Sequence, residues 1–160
     1  MSLSYEVIKT EFLEPDPRFK SILVSKFINC LLRRGKKSVA QGVFYKAMDL
    51  VAERLEKDNS LEVFETAVAN VAPIIEVRSR RIGGMTYQVP TEVSGKRRIS
   101  LAIRWILEAA RNKKGRPMHL RLADEITDAY RRQGTAYDRR ENTHKMAEAN
   151  RAFAHFASRR

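Results

Sequence analysis

The apolar positions of this chain fall into helical stripes along most of its length and into a different period in one short segment. Phe19, Leu23, Phe27 and Leu31 recur four residues apart, with Val24 and Ile28 beside them. That spacing predicts an amphipathic helix over Phe19–Leu32, stopped by Gly35. Val39, Val43, Ala47, Val51 and Leu55, flanked by Phe44 and Met48, predict a second from Lys37 to Lys57. Asn59, with Glu62 three residues on, has the spacing of a capping box ahead of Leu61, Phe64, Val68 and Val71, so a third helix starts there and Pro73 ends it. Ala102, Trp105, Ile106 and Ala109 predict a fourth over Ile99–Arg111. Leu122, Ile126 and Ala129 predict a fifth over Met118–Arg132, broken at Gly134, and Met146, Ala149, Phe153 and Phe156 a sixth over Arg139–Ala157.

The exception is IIEVRSRRIGGMTYQVPTEVSGKRR, residues 74–98. Gly83-Gly84 is a favoured two-residue type I′ loop, because both positions need positive φ. It sets Ile82 opposite Met85, Arg80 opposite Tyr87 and Arg78 opposite Val89 on one face, and Arg81 opposite Thr86, Ser79 opposite Gln88 and Val77 opposite Pro90 on the other. Neither face is cleanly apolar. A lone two-stranded ribbon is marginal in water, so it must lean on its own bundle or on a partner. The expected fold is mainly α: one bundle of about six helices with a protruding β-hairpin, residues 75–92, inserted between helices three and four. A single domain is expected to span 1–160, with residues 1–16 extended.

Charge changes this picture more than composition does. The net charge is +12 on 18.4 kDa, and it is unevenly placed. Residues 49–76 carry seven acids against two bases, net −5; residues 77–121 carry twelve bases against two acids, net +10. Such a block is the electrostatic footprint of a polyanion-binding surface, because neutralised phosphates release condensed counterions. The longest uncharged run, Thr66–Ile75, is about half of what a membrane span needs, and the acidic start resembles neither a secretory signal nor a transit peptide. A soluble protein with no membrane partner is expected. Cys30, the only cysteine, lies in FINCLL and is expected to pack in the core.

Several motifs carry no chemistry. LLRRGKKS lacks the first glycine and the final Ser or Thr of a P-loop, so Lys36 and Lys37 read as phosphate contacts at a helix start. His119, His144 and His155 have no metal-ligand spacing, and neither a metal nor another cofactor is expected. His144, Glu148, Arg151 and His155 share a polar face of the last helix, which reads as facing solvent or RNA rather than as an acid/base pair. Trp105 reads as a packing residue. Glu53, Glu56, Asp58 and Glu62 mark a face turned from nucleic acid or toward a basic protein neighbour. Arg78, Arg80 and Arg81 suit phosphate oxygens, and Tyr87 offers a ring on which an unpaired base could stack.

GKKSVAQGVFYKA, LEVFETAVANVAPIIEVRSRRIGGMTYQVPTEV, RRISLAIRWILEAAR and HKMAEANRAFAHF together resemble the bacterial form of the small-subunit ribosomal protein seven family, from about Pro15 to Phe156. The resemblance implies a non-enzymatic constituent of the cytoplasmic ribosome that binds small-subunit ribosomal RNA, nucleates assembly of the subunit head and lies near the exit-site tRNA and the mRNA. It implies neighbouring small-subunit proteins as partners and a monomer when free. Carried onto this chain, the rRNA-facing positions are Lys36, Lys37, Arg78, Arg80, Arg81, Lys96, Arg97, Arg98, Arg111, Lys113, Lys114 and Arg116. The positions toward tRNA and mRNA are Gly83, Gly84, Met85, Tyr87, His144, Arg151 and His155. The start, MSLSYEVIKTEFLE, departs from the short basic tail usual in the family. The competing reading is a free-standing nucleic-acid-binding regulator with helix five in a major groove; an enzyme would need a nucleophile, base and orienting group that do not occur together here.

Overall fold

A computed structural model describes residues 13–157 of the protein. Its elements are α1 (Ile22–Leu31), α2 (Lys37–Leu55), α3 (Ser60–Val71), β1 (Ile75–Ile82), β2 (Met85–Glu92), α4 (Gly95–Asn112), α5 (Met118–Tyr130) and α6 (Thr135–Ala149), followed by a 3-10 helix, Arg151–Phe156. The mainly helical bundle with a two-stranded antiparallel insertion between α3 and α4 is the expected fold. Of the segment expected to be extended, residues 1–12 lie outside the described residues, and residues 13–16 carry neither helix nor strand.

The core is one continuous cluster whose centre is aromatic. Phe27 of α1 meets Phe64 of α3 edge-on at 5.1 Å, and Phe44 of α2 sits 5.4 Å from Phe27 and 5.3 Å from Phe64. The buried stripe of α2 is Ala40, Phe44, Ala47, Met48 and Val51, whereas Val39 is 59 % exposed. The stripe is therefore rotated from the valine series: small alanines let α2 approach its neighbours closely, so the helix turns Ala40 inward and Val39 out. Nor is Cys30 in the core. The buried positions of α1 include Phe27, Ile28 and Leu31, and Cys30 lies off that face, exposed.

Helix ends differ from the apolar pattern where a polar group or a left-handed residue intervenes. The first helix starts at Ile22 rather than Phe19 because Asp16, 2 % exposed, holds residues 17–19 in a turn. Its Oδ2 accepts the amides of Arg18 and Phe19, both at 3.1 Å, and its Oδ1 accepts the Tyr45 hydroxyl at 2.8 Å. Burial, then this bond, pushes the Tyr45 pKa up to about 12. The second helix stops at Leu55, since Glu56 turns left-handed (φ 50°). Asn59 caps α3 as its spacing predicts, accepting the Glu62 amide at 3.3 Å. The fourth helix begins a turn early, at Gly95, so Lys96, Arg97 and Arg98 are helical; good helix formers need no apolar periodicity to extend a helix.

The expected sixth helix is divided. Asn150 ends α6, its Nδ2 donating to the Met146 carbonyl at 2.8 Å, and the chain tightens into the 3-10 helix. At three residues per turn, Phe153 and Phe156 fall on one side. The stripe Met146–Ala149–Phe153–Phe156 does not exist as a buried face: Met146 is 57 % exposed, Ala149 is exposed, and the two phenylalanines are half-buried. Phe153 is accordingly not a core residue, and the large destabilisation expected of a buried ring does not apply to it.

Candidate nucleic-acid interface

The ribbon has the predicted register throughout, from Ile75 opposite Glu92 to Ile82 opposite Met85, closed by Gly83 (φ 57°) and Gly84 (φ 86°). It leans on its own bundle through one face. Val89 is fully buried yet outside the main core cluster, and Glu76 is 7 % exposed, while Arg81, Ser79, Thr86 and Gln88 on the other face are exposed. Farther out, the Tyr87 ring lies 5.4 Å from Phe153 and 5.1 Å from Phe156, and Arg80 donates to the Phe156 carbonyl at 3.4 Å. The tail thus props the ribbon, and the ring considered for base stacking already packs against two others.

The root of the ribbon is a charged knot. Arg78 donates Nε to Glu76 Oε1 at 2.6 Å, and Arg97, from the first turn of α4, donates Nε to both Glu76 oxygens at 2.8 and 2.9 Å. Burial opposes ionisation of Glu76, but the two guanidinium hydrogen bonds outweigh it and hold the carboxyl below its usual range. Beside it, His144 Nε2 accepts the Ile74 amide at 3.1 Å. Burial, then Arg140, lowers the His144 pKa against the pull of Glu141, with a smaller push from Arg98.

Because this histidine is held neutral in the folded state, the unfolded chain binds more protons below the ordinary imidazole value of about 6.5. Its contribution is therefore complete above that pH and lost as pH falls through the lowered folded value. An NMR titration should give His144 a midpoint below the ordinary imidazole value of about 6.5, with the Ile74 amide shift moving in parallel. A midpoint at or above that value would remove His144 from the ribbon's root.

At the far end of α4 most cations are spent on the fold. Arg111 Nη2 donates to the Cys30 and Leu31 carbonyls at 3.2 and 3.3 Å, satisfying the open end of α1. Burial, then Arg33, lowers its pKa. Arg121 donates to the Arg111 and Lys113 carbonyls and closes the end of α4. Lys113 reaches Glu125, which is fully buried, at 2.8 Å and Asp128 at 3.4 Å; these anions raise its pKa against the larger single opposing effect of burial. Arg116 pairs with Asp124 at 3.0 Å. A recess of about 260 Å³ opens here, lined by Leu31, Arg33, Arg111, Met118 and Arg121.

The cations thus divide into two sets. Arg78, Arg80, Arg97, Arg111, Lys113 and Arg116 are held by intramolecular partners, and Arg98 is half-buried. Lys36, Lys37, Arg81, Lys96 and Lys114 are exposed and have no side-chain partner among the described residues. Lys96 lies in the first turn of α4, an 18-residue helix and hence about 27 Å long, and Lys114 just past its other end; Arg81 stands beside the ribbon's tip, and Lys36 and Lys37 at the start of α2. Arg33 and Arg34, exposed in the α1–α2 loop, belong with this free set and were legible in the run RRGKK. Of the positions expected near tRNA and mRNA, Gly83, Gly84 and Met85 form the exposed tip, Arg151 and His155 are exposed on the tail, and His144 is turned into the ribbon's root.

Comparison with known proteins gives the same set of residues a context. Residues 3–151 match the family model of ribosomal protein S7p/S5e. The chain is similar to the small ribosomal subunit protein uS7 of Rhodopirellula baltica, 58 % identical over 143 residues that cover 89 % of this chain and 91 % of that one. The uS7 of Thermotoga maritima is 58 % identical over 144 residues, 90 % of this chain and 92 % of that one. For Desulfotalea psychrophila uS7 the identity is 52 % over 151 residues, 94 % and 96 % of the two chains.

Proposed function

Since the chain belongs to the ribosomal protein S7p/S5e family, we propose that it binds the head region of the small-subunit ribosomal RNA and nucleates its assembly. It is a structural, non-enzymatic constituent of the small ribosomal subunit, whose partners are ribosomal RNA and neighbouring ribosomal proteins. In our reading the whole chain acts as one RNA-binding domain, monomeric when free and cytoplasmic when assembled. The free cations Lys36, Lys37, Arg81, Lys96 and Lys114 make the first phosphate contacts. The exposed tip Gly83–Met85 and the tail with Arg151 and His155 face the exit-site tRNA and the mRNA.

The observation that carries this reading is the placement of the unpaired cations Lys96 and Lys114 at the two ends of α4, on a protein of net charge +12. A rigid helix then presents two phosphate-binding regions at a fixed separation, which selects folded RNA over flexible strands. The competing picture, a regulator placing α5 in a DNA groove, is not supported. The fifth helix packs against α2, α3, α4 and α6 and buries Leu122, Ala123, Glu125, Ile126 and Ala129, so it has no free face to insert.

Binding to a bacterial small-subunit rRNA transcript should weaken steeply with salt, with a log–log slope corresponding to about six to ten phosphate contacts. A random RNA of equal length should bind far less tightly at moderate salt. In lysates the protein should sediment with small subunits and shift to the top of the gradient after ribonuclease treatment. Equal affinity for both RNAs would refute the specific claim.

A further inference from the structure

Glu76 is the only acid between Glu65 and Glu92, set in the most basic part of the chain. Simple electrostatics makes it a liability, since it repels phosphate and is 7 % exposed. Both costs are met at one place. Arg78 of β1 and Arg97 of α4, 19 positions apart in sequence, converge on its carboxylate, yet their side chains remain 51 % and 48 % exposed. The carboxylate takes Nε and Nη2 of Arg78 on Oε1, and Nε of Arg97 on both oxygens. A guanidinium has five N–H donors. Nη1 of Arg78 and both terminal nitrogens of Arg97 are therefore left over by this carboxylate.

We infer that Glu76 is a positioning residue for RNA binding, an anion that holds Arg78 and Arg97 side by side as one preorganised fork for a phosphate of the ribosomal RNA. Two arginines placed together would otherwise repel, and each would lose rotamer freedom on binding. With Glu76 between them the repulsion is offset and the ordering is completed before RNA arrives. Geometry favours this over a purely structural knot: the carboxylate that holds them is buried, whereas both arginine side chains stay about half exposed and keep donors that it does not use. The inference rests on the proposed RNA-binding function and names the residue that prepares part of that surface.

The test is a filter-binding cycle with the full-length protein and a bacterial small-subunit rRNA transcript, with random RNA of equal length as competitor and helical circular dichroism reporting the folded fraction. Glu76→Gln raises the net charge by one, which by charge alone strengthens RNA binding; the fork requires the opposite, about tenfold weaker binding. In a protein already carrying Arg78→Ala and Arg97→Ala, the same substitution should change affinity less than twofold, because it acts through those side chains. Arg97→Lys, at an exposed position that folding tolerates, keeps the charge but loses the planar fork and should bind several-fold more weakly, so it decides the matter even if Glu76→Gln melts early. Binding of Glu76→Gln or Arg97→Lys as tight as that of the unsubstituted protein would overturn the inference, as would an equal loss from Glu76→Gln without the two arginines. If the unsubstituted protein fails to prefer the ribosomal transcript over random RNA, the proposed function fails, and the fork with it.

Discussion

Replacing Glu125 with alanine should lower the stability of the protein by about 3 kcal/mol, one of the larger effects available from a single polar side chain. This carboxylate is fully buried in the middle of α5 and joins the end of α4 to the start of α6. Its Oε1 accepts the Ala136 amide at 2.9 Å, one of the donors that the first turn of α6 cannot satisfy internally, and its Oε2 lies 2.8 Å from Lys113 at the end of α4. Alanine would leave that amide orphaned and a cavity beneath it. Lys113 softens the loss, since it is 32 % exposed and already reaches Asp128. Glutamine keeps an acceptor for Ala136 and should cost about half as much. For a chain of this size the alanine variant should melt roughly 6–12 °C lower by circular dichroism. A change below about 1 kcal/mol would show that these two helix ends are held by packing alone.

The same junction explains why glycine stands at position 134, where α6 begins. Its φ of 89° lies where side chains are strained, and a Cβ there would stand 2.9 Å from Asp128 Cβ. Glycine lets the chain fold back tightly enough for Ala136 to meet Glu125.

How far the sequence reveals this molecule depends on the kind of information each feature needs. The ribbon was legible to the residue, because Gly83-Gly84 allows one loop type and a strand period of two leaves no freedom once the loop is set. The helices were legible as elements, but not which side of α2 faces inward: Val39 and Ala40 are neighbours, and the choice depends on how closely the facing helix approaches. The sixth helix misled because Met146, Ala149, Phe153 and Phe156 keep an apparent helical spacing through a break at Asn150, whose side-chain bond to Met146 no periodicity reports. The basic surface was legible as a total and not as a division. Lys113 and Lys114 are adjacent and chemically identical, yet one is tied to a buried carboxylate and the other is free. Only the fold, by bringing residue 125 to residue 113, separates them.

That division carries the largest functional prediction. Substituting Lys36, Lys37, Arg81, Lys96 and Lys114 together by alanine removes five exposed cations without side-chain partners among the described residues, so the melting temperature should move little. Each lost phosphate contact should reduce the salt slope by about 0.7–0.9, so five should flatten it by about 4. The counterion term scales with the same slope, and affinity for the ribosomal RNA transcript near physiological salt should fall by about 10³-fold. The matched control removes Arg54, Arg111, Lys113, Arg116 and Arg121, an equal charge drawn from cations tied into the bundle away from the Glu76 fork. That variant should melt well below the first, because it strips the partner cations from Glu125 and Asp124 and opens the ends of α1 and α4. Equal net charge with opposite damage, to binding in one and to folding in the other, is the result expected. Identical melting curves for the two variants, or a salt slope unchanged in the first, would mean that being tied into the bundle does not decide which cations meet the RNA.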